Sequence, residues 1–143
     1  MYWNPLIPEL AVRDLKTSIA FYQTLGFKKN YERIEDKFVF FSLGKAQLML
    51  QEITPHEKWQ VTKELTYPYG AGINFQIEVK NVDILQQRLI EAGYPIAFPM
   101  EENWYRQGRK WLGNKEFLVQ DPDGYLLRFS QDLGKKKRRK ENE

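Results

Sequence analysis

The sequence predicts an α+β protein built from two tandem βαβββ modules, whose strands form a curved mixed sheet with the helices on its convex face. Two segments, residues 12–27 and 79–94, align without gaps although few of their residues are identical. Each is preceded by one strand-like segment and followed by three, in which apolar and polar residues alternate. A repeated supersecondary unit is the simplest explanation of this organisation.

Each repeated segment predicts one helix of about three turns. Asp14 and Asn81 stand where a helix N-cap is expected, because their side-chain oxygens can accept hydrogen bonds from the first free backbone N–H groups. Gly26 and Gly93 stand where a helix ends in a left-handed residue, a conformation that glycine adopts without strain. The two helices should therefore occupy equivalent places in the two modules.

The strands follow from the alternation and from the turn residues between them. In the first module, about residues 5–53, strands are predicted at 6–12, 28–34, 37–43 and 46–52. In the second, about residues 72–132, they are predicted at 72–79, 95–98, 115–120 and 125–130, the last two joined by a Pro122–Gly124 turn. Residues 54–71 and 99–114 are predicted as loops.

Alternation along the strands also assigns their faces. Apolar residues such as Phe75 and Ile77 should pack under the helix, which turns Asn74, Gln76 and Glu78 to the opposite face. Glu9 in the first strand and Arg128 in the last should share that face. A polar sheet face without helix cover predicts a groove that accepts a ligand.

Composition limits the class of protein. The chain has 143 residues and no cysteine, which fits one domain and excludes disulfides and thiolate metal sites. We find no secretory signal and no apolar run of membrane-spanning length, so a cytoplasmic protein without a membrane partner is expected. Six of the nine residues 135–143 are basic, and this run predicts a disordered tail after a single domain at 1–134. The domain itself is near neutral, so we expect no nucleic-acid partner.

The segments VRDLKTSIAFYQTLGF and DPDGYLLRF together resemble the vicinal-oxygen-chelate superfamily, which includes glyoxalase I, extradiol dioxygenases and bleomycin-resistance proteins. The resemblance covers about residues 5–132 and implies the glyoxalase/bleomycin-resistance fold. It does not by itself fix an activity.

In the enzymes of this superfamily, His and Glu side chains hold a divalent metal. The matching positions here are Ile7, Gly72 and Arg128, and none of these side chains can ligate a metal. The only histidine, His56, lies in the first loop. We therefore expect a protein that is not an enzyme and has no metal or other cofactor. Two alternatives stay open: a metal-dependent lyase or dioxygenase that uses Glu9, Glu78 and His56, or a binding module for another metabolite.

A member without metal ligands resembles the bleomycin-resistance proteins, and RKWLGNKEFLVQDPDG is similar to their pattern apart from an inserted Leu112. The resemblance implies sequestration of a planar, cationic antibiotic by a homodimer. Rings can stack on the planar part, and carboxylates or rings can hold the cation. The candidate ligand-binding residues are Phe38, Phe40, Trp59, Trp104, Tyr105, Trp111, Glu9, Asn74, Gln76 and Arg128, with Glu78, Glu101 and Glu102 as further candidates for the cation.

Overall fold

A computed structural model of the chain describes residues 2–54 and 64–137. The candidate residues His56 and Trp59 lie outside this described part. The chain divides into two compact units. The N-terminal unit holds the residues up to Ile73 together with Gln120–Tyr125, and the C-terminal unit holds Asn74–Val119 and the residues from Leu126 onward.

The N-terminal unit contains one helix and one mixed four-stranded sheet. Its elements in chain order are β1 (Glu9–Val12), α1 (Leu15–Thr24), β2 (Lys28–Arg33), a short 3₁₀ turn (Ile34–Asp36), β3 (Phe38–Leu43) and β4 (Ala46–Glu52). The strand order is β1-β4-β3-β2, with β1 parallel to β4 and the other pairs antiparallel. The parallel pair needs a crossover, and α1 supplies part of it.

The C-terminal unit repeats this topology. Its elements are β5 (Asn74–Glu78), α2 (Val82–Glu91), β6 (Phe98–Gln107), β7 (Lys110–Gln120) and β8 (Leu126–Lys137). The order is β5-β8-β7-β6, and β5 runs parallel to β8. The predicted βαβββ duplication is therefore confirmed, with two mixed sheets and two helices.

The main error of the sequence prediction is the loop at 99–114. These residues extend β6 and β7 into a long hairpin, in which Trp104 pairs with Gly113 and Arg106 with Trp111. Gly108, with φ of 61°, lies at the turn. Polar and charged residues occupy both faces of this hairpin, so its sequence does not alternate between apolar and polar residues. The strands can still pair, because backbone hydrogen bonds between strands form whatever the side chains are. The last strand was also predicted too short, since β8 continues to Lys137, inside the segment expected to be a tail.

The two helices begin differently, although both were predicted to have side-chain caps. Asn81 accepts hydrogen bonds from the backbone N–H groups of Asp83 and Ile84, as predicted. Asp14 occupies the N-cap position of α1 as predicted, but its carboxylate accepts from the Thr17 hydroxyl and makes no capping bond to the backbone. The nearby N–H of Leu15 donates instead to Glu52. Both helix ends agree with the prediction: φ is 98° at Gly26 and 86° at Gly93.

The turn Gln120–Tyr125 packs inside the N-terminal unit through two buried carboxylates. Asp123 accepts from the backbone N–H of Arg13 at 3.0 Å, from the Arg13 Nε at 2.8 Å and from the Ser18 hydroxyl at 3.3 Å. The salt bridge and hydrogen bond to Asp123 raise the pKa of the Arg13 guanidinium. This carboxylate thus anchors the start of α1, the role that Asp14 does not perform.

Asp121 is the second buried carboxylate of the turn. Its Oδ1 accepts from the backbone N–H groups of Asp123 and Tyr125, and its Oδ2 accepts from the Tyr22 hydroxyl at 2.7 Å. Burial raises the pKa of Asp121 to about 6 although these hydrogen bonds favour the charged form. Burial also raises the pKa of the Tyr22 hydroxyl well above its ordinary value.

The raised pKa of Asp121 predicts that stability falls as the pH rises. The folded protein binds the Asp121 proton more tightly than the unfolded chain does. Protonated Asp121 therefore contributes fully to the free energy of unfolding below about pH 4, and this contribution is lost as the pH rises past about 6. Between pH 4.5 and 7 the loss should be about 2 kcal/mol. Asp121→Asn cannot ionise, so urea unfolding at the two pH values should show this slope in the wild type and its removal in the variant. Equal slopes would contradict the assignment.

Two glycines with similar backbones should respond differently to alanine. Gly124 has φ of 96°, and an added Cβ would lie 2.6 Å from the Pro68 backbone, whereas Gly93 has φ of 86° and open space around it. Gly93→Ala should cost about 1–2 kcal/mol for the left-handed conformation alone. Gly124→Ala should cost about 1–3 kcal/mol more, because Pro68 must also move. Chemical denaturation of both variants measures the difference, and equal losses would mean that the contact with Pro68 is unimportant.

Candidate functional site

A group of six polar residues lies on the face of the C-terminal sheet that points away from α2. Opposite them, Phe117 and Phe129 stack in the core with ring centroids 5.7 Å apart, and Lys115 reaches Asp83 of α2. Alternate residues of β7 and β8 therefore point to the other face, where register pairs Arg128 with a residue of β5 and Asn114 with a residue of β6. We call this set the polar cluster: Gln76, Asn103, Asn114, Glu116, Arg128 and Ser130.

Glu116 is the centre of the polar cluster. It is 8% exposed, and its carboxylate accepts from the Nδ2 groups of Asn103 and Asn114, both at 3.5 Å. The Arg128 Nε lies 3.8 Å from the Glu116 Oε2, an ion pair without a short hydrogen bond. Asn114 also donates to the Ser130 hydroxyl at 3.4 Å. All these contacts are long, so the carboxylate is held loosely for a buried charge.

Two buried atoms of the polar cluster lack a hydrogen-bond partner within the described residues. They are the Nε of Arg128, which is a donor, and the Oδ1 of Asn114, which is an acceptor. Buried polar groups are nearly always matched in folded proteins. Within the described residues, these two atoms of the polar cluster are exceptions to that rule.

The structure brings together some of the candidate residues and separates others. Gln76 and Arg128 are paired neighbours, and Asn74 lies two residues earlier on β5, exposed on the same face. Tyr105 alternates with Trp104 on β6, so it shares the face of Asn103 and is 53% exposed. Glu9 lies exposed at the start of β1, in the N-terminal unit.

Trp104 and Trp111 project from the opposite face of the β6–β7 hairpin. The Trp104 ring lies flat over Gly113, where an added Cβ would come within 2.5 Å of it. Lys136 places its Nζ 3.8 Å from the centre of the same ring, and the Trp104 Nε1 donates to Glu102. The ring is thus held within its own sheet, on a different face from Arg128.

Phe38 and Phe40 belong to an aromatic cluster in the N-terminal unit that also contains Trp3 and Tyr31. Phe40 stacks on Tyr31 with centroids 5.4 Å apart and an angle of 9°, and the Trp3 ring lies 4.7 Å from Phe40. Arg33 covers Phe38 at 4.0 Å. Because Phe38 and Phe40 are buried, the accessible rings of this aromatic cluster are Tyr31, which is half-buried, and Trp3, which is 47% exposed.

Sequence reasoning missed Trp3 because it precedes every predicted strand. Hydrogen bonds from Asn4 to the side chain of Gln47 and to the carbonyl of Lys45 hold its segment against the sheet. The side chain of Gln47 donates in turn to the Tyr2 carbonyl. Glu116 and Asn103 were also missed, although alternation from Phe117 would have placed Glu116 opposite the core.

The positions that match metal ligands in related enzymes carry no metal-binding side chain. Ile7 precedes β1, Gly72 lies in a turn with φ of 89°, and Arg128 stands on β8. Within residues 2–54 and 64–137, no three His, Asp or Glu side chains come together in a way that could hold a metal ion. No helix in the same residues is long and apolar enough to cross a membrane.

Comparison with known proteins identifies the family to which this fold belongs. The model of the Glyoxalase/Bleomycin resistance protein/Dioxygenase superfamily matches residues 6–129. The chain belongs to this superfamily. Curated relatives named bleomycin resistance protein, from Geobacillus stearothermophilus and Staphylococcus aureus, are 29% identical over 139 residues, covering 89% of this chain and 96% of theirs.

Solved structures of the superfamily fold are similar along most of the chain. A hypothetical protein from S. aureus is 25% identical with a TM-score of 0.60, covering 90% of this chain and 96% of its own. TioX from Micromonospora sp. ML1 is 19% identical with a TM-score of 0.69, covering 92% and 100%, and this likeness shows the fold alone.

Trp3→Ala should destabilise the N-terminal unit, because it removes the ring that packs on Phe40. Trp3 is about half-exposed, so we expect a loss of roughly 1–2 kcal/mol, below the 3–5 kcal/mol of a fully buried ring. The matched control is Tyr105→Ala, a ring of similar exposure with no aromatic neighbour in the described part, which should change stability by less than about 0.5 kcal/mol. Urea unfolding of both variants checks this, and equal effects would contradict a packing role for Trp3.

Proposed function

We propose that the protein binds and sequesters a planar, cationic antibiotic of the bleomycin type and does not transform it. The observation that carries the proposal is Arg128, which stands on the last strand where the superfamily's metal enzymes need a carboxylate. A guanidinium cannot ligate a metal, but it can bind polar groups of a ligand. The relatives named bleomycin resistance protein support the choice of ligand class.

Both units offer surfaces that suit such a ligand. Trp3 and Tyr31 present rings in the N-terminal unit, and flat conjugated groups bind well against aromatic faces. In the C-terminal unit, Glu116 supplies a nearly buried negative charge that is only loosely hydrogen-bonded. A cationic group is attracted to such a carboxylate more strongly than to one in bulk water. The rings of the N-terminal unit and the carboxylate of the C-terminal unit can each contribute to binding independently.

The remaining parts of the proposal follow from the resemblance. Related binding proteins are homodimers, so we propose that two copies associate in solution. Sequestration protects DNA only when protein and drug share a compartment, which favours a cytoplasmic location. Sedimentation of the purified protein tests the first point independently of any ligand.

Calorimetric titration with metal-free bleomycin should show saturable binding of about one equivalent per site. The protein should protect DNA from cleavage by the activated drug, and the drug should be recovered unchanged. Arg128→Gln should weaken binding about tenfold or more, because a charged hydrogen-bond donor is lost. Arg88→Gln, an exposed arginine on α2, is the matched control and should bind like the wild type.

Two results would overturn this assignment in different ways. The absence of saturable heat with bleomycin would remove the drug from the proposal. Stoichiometric zinc, nickel, manganese or iron in the purified protein, together with turnover of a substrate, would restore the metal-dependent alternative.

A further inference from the structure

We propose that the end of the C-terminal sheet at the β6–β7 turn is a docking surface for single-stranded nucleic acid. A group of cations there binds the phosphates, and Tyr105 stacks on a base. The cations, which we call the basic end, are Arg106, Arg109, Lys110, Lys135 and Lys136. This inference goes beyond the proposed function and does not depend on it.

Strand topology brings these cations to one end of the sheet. β6 ends at Gln107 and β7 begins at Lys110, on either side of Gly108 in the turn. β8 is the other neighbour of β7, and the short link between them makes the pair antiparallel, since a parallel pair needs a long crossover. The end of β8, at Lys137, therefore lies beside the start of β7. Neighbouring strands are about 5 Å apart, so the cations of the three strands share one small area.

The sequence expectation of no nucleic-acid partner rested on a near-neutral domain that ended at residue 134. The structure places Lys135 and Lys136 in β8, so these two cations belong to the sheet. A basic surface that is built into the fold is the electrostatic footprint of nucleic-acid binding.

No acidic residue offsets the charge at this end of the sheet. Residues 103–113 and 133–137 contain three cations each and no Asp or Glu. Four members of the basic end are exposed and make no ion pair within the described residues: Arg106, Arg109, Lys110 and Lys135. Further along β7, by contrast, Lys115 pairs with Asp83. Unpaired cations held close together repel each other, and a bound polyanion removes that repulsion while it releases its own counterions.

An exposed ring lies among the cations on one face of the sheet. Tyr105 is 53% exposed and shares its face with Lys110, by the register of β6 and β7. Lys136 covers Trp104 on the opposite face. Its neighbour Lys135 therefore points to the face of Tyr105, because successive side chains of a strand alternate. A base can stack on the Tyr105 ring while Lys110 and Lys135 contact neighbouring phosphates.

The arrangement favours a single strand of nucleic acid over other polyanions. Arg106 and Lys136 lie on the face of Trp104. Lys110 and Lys135 lie on the other face, so the cations occupy both faces of the sheet end. A flexible strand can pass around such an end, whereas a flat membrane surface meets only one face. An acidic peptide could pair with the cations, but its carboxylates cannot stack on the exposed ring as a base does.

Two fluorescein-labelled oligonucleotides, dodecathymidylate and dodecauridylate, test the docking surface on the full-length protein by fluorescence anisotropy. Saturable binding of either one at about 50 mM salt supports the proposal, and the tighter of the two shows whether DNA or RNA is preferred. With about three phosphate contacts, the affinity should fall about twentyfold between 50 and 200 mM salt. The absence of saturable binding by both oligonucleotides at the lower salt concentration would overturn the proposal.

The double variant Arg109→Gln/Lys110→Gln should bind the oligonucleotide about tenfold or more weakly, with a shallower salt dependence, because two phosphate contacts are lost. The matched control is Lys80→Gln/Arg88→Gln, which removes two exposed cations elsewhere in the same unit and should bind like the wild type. Both variants keep residues 138–143, so the charge of that segment cannot produce a difference between them. Equal losses in the two would mean that only net charge matters and would refute a docking surface at the basic end.

Tyr105→Ala tests the stacked base. It should weaken oligonucleotide binding about fivefold or more and leave the salt dependence unchanged, since no phosphate contact is lost. An unchanged affinity would remove the contact with a base and, with it, the choice of nucleic acid.

Competition separates nucleic acid from the other polyanions. Dodecaglutamate, and vesicles of phosphatidylserine with phosphatidylcholine, should displace the labelled oligonucleotide at least about fivefold less effectively than unlabelled dodecathymidylate, at equal concentrations of negative charge. If either competes equally well, the basic end binds polyanions in general and the proposal fails.

Discussion

The hydrogen bonds of Asp121 and Asp123 are the interaction on which the N-terminal unit most depends. These two carboxylates come late in the chain, yet they are buried with α1, where Asp123 binds Arg13 and Ser18 and Asp121 binds Tyr22. Burying a charged group is costly unless it is hydrogen-bonded, and each carboxylate receives three hydrogen bonds. The turn and α1 therefore stabilise each other.

The polar cluster is placed by strand pairing. Cross-strand neighbours on one sheet face lie within reach of each other, so register alone gathers Gln76, Arg128 and the residues of β6 and β7. The opposite face of the same strands is filled by Phe117 and Phe129, which fixes the strands from which the polar side chains project. A fixed backbone suits recognition, since less ordering is needed when a ligand binds.

The fold was predictable because its signals are local and repeated. The duplication, the Asn81 cap, the terminal glycines and the alternation that puts Arg128 opposite Phe129 can all be read from neighbouring residues. The hairpin at 99–114 was not predicted, since its two faces are similarly polar and period-two alternation disappears. The contacts of Glu116 depend on the register between β6, β7 and β8, and those of Trp3 on a segment without periodic structure. A single sequence does not encode these distances in any local pattern.

Residues 120–125 belong to the N-terminal unit although they lie within the second sequence repeat. The chain passes between the two units three times, at residues 73, 119 and 125, although the sequence repeat is a simple tandem. The boundary of the duplication and the boundary of compact packing are therefore different. No single scission of the polypeptide separates the two units, and a fragment containing only the first repeat would expose Tyr22 without its carboxylate partner.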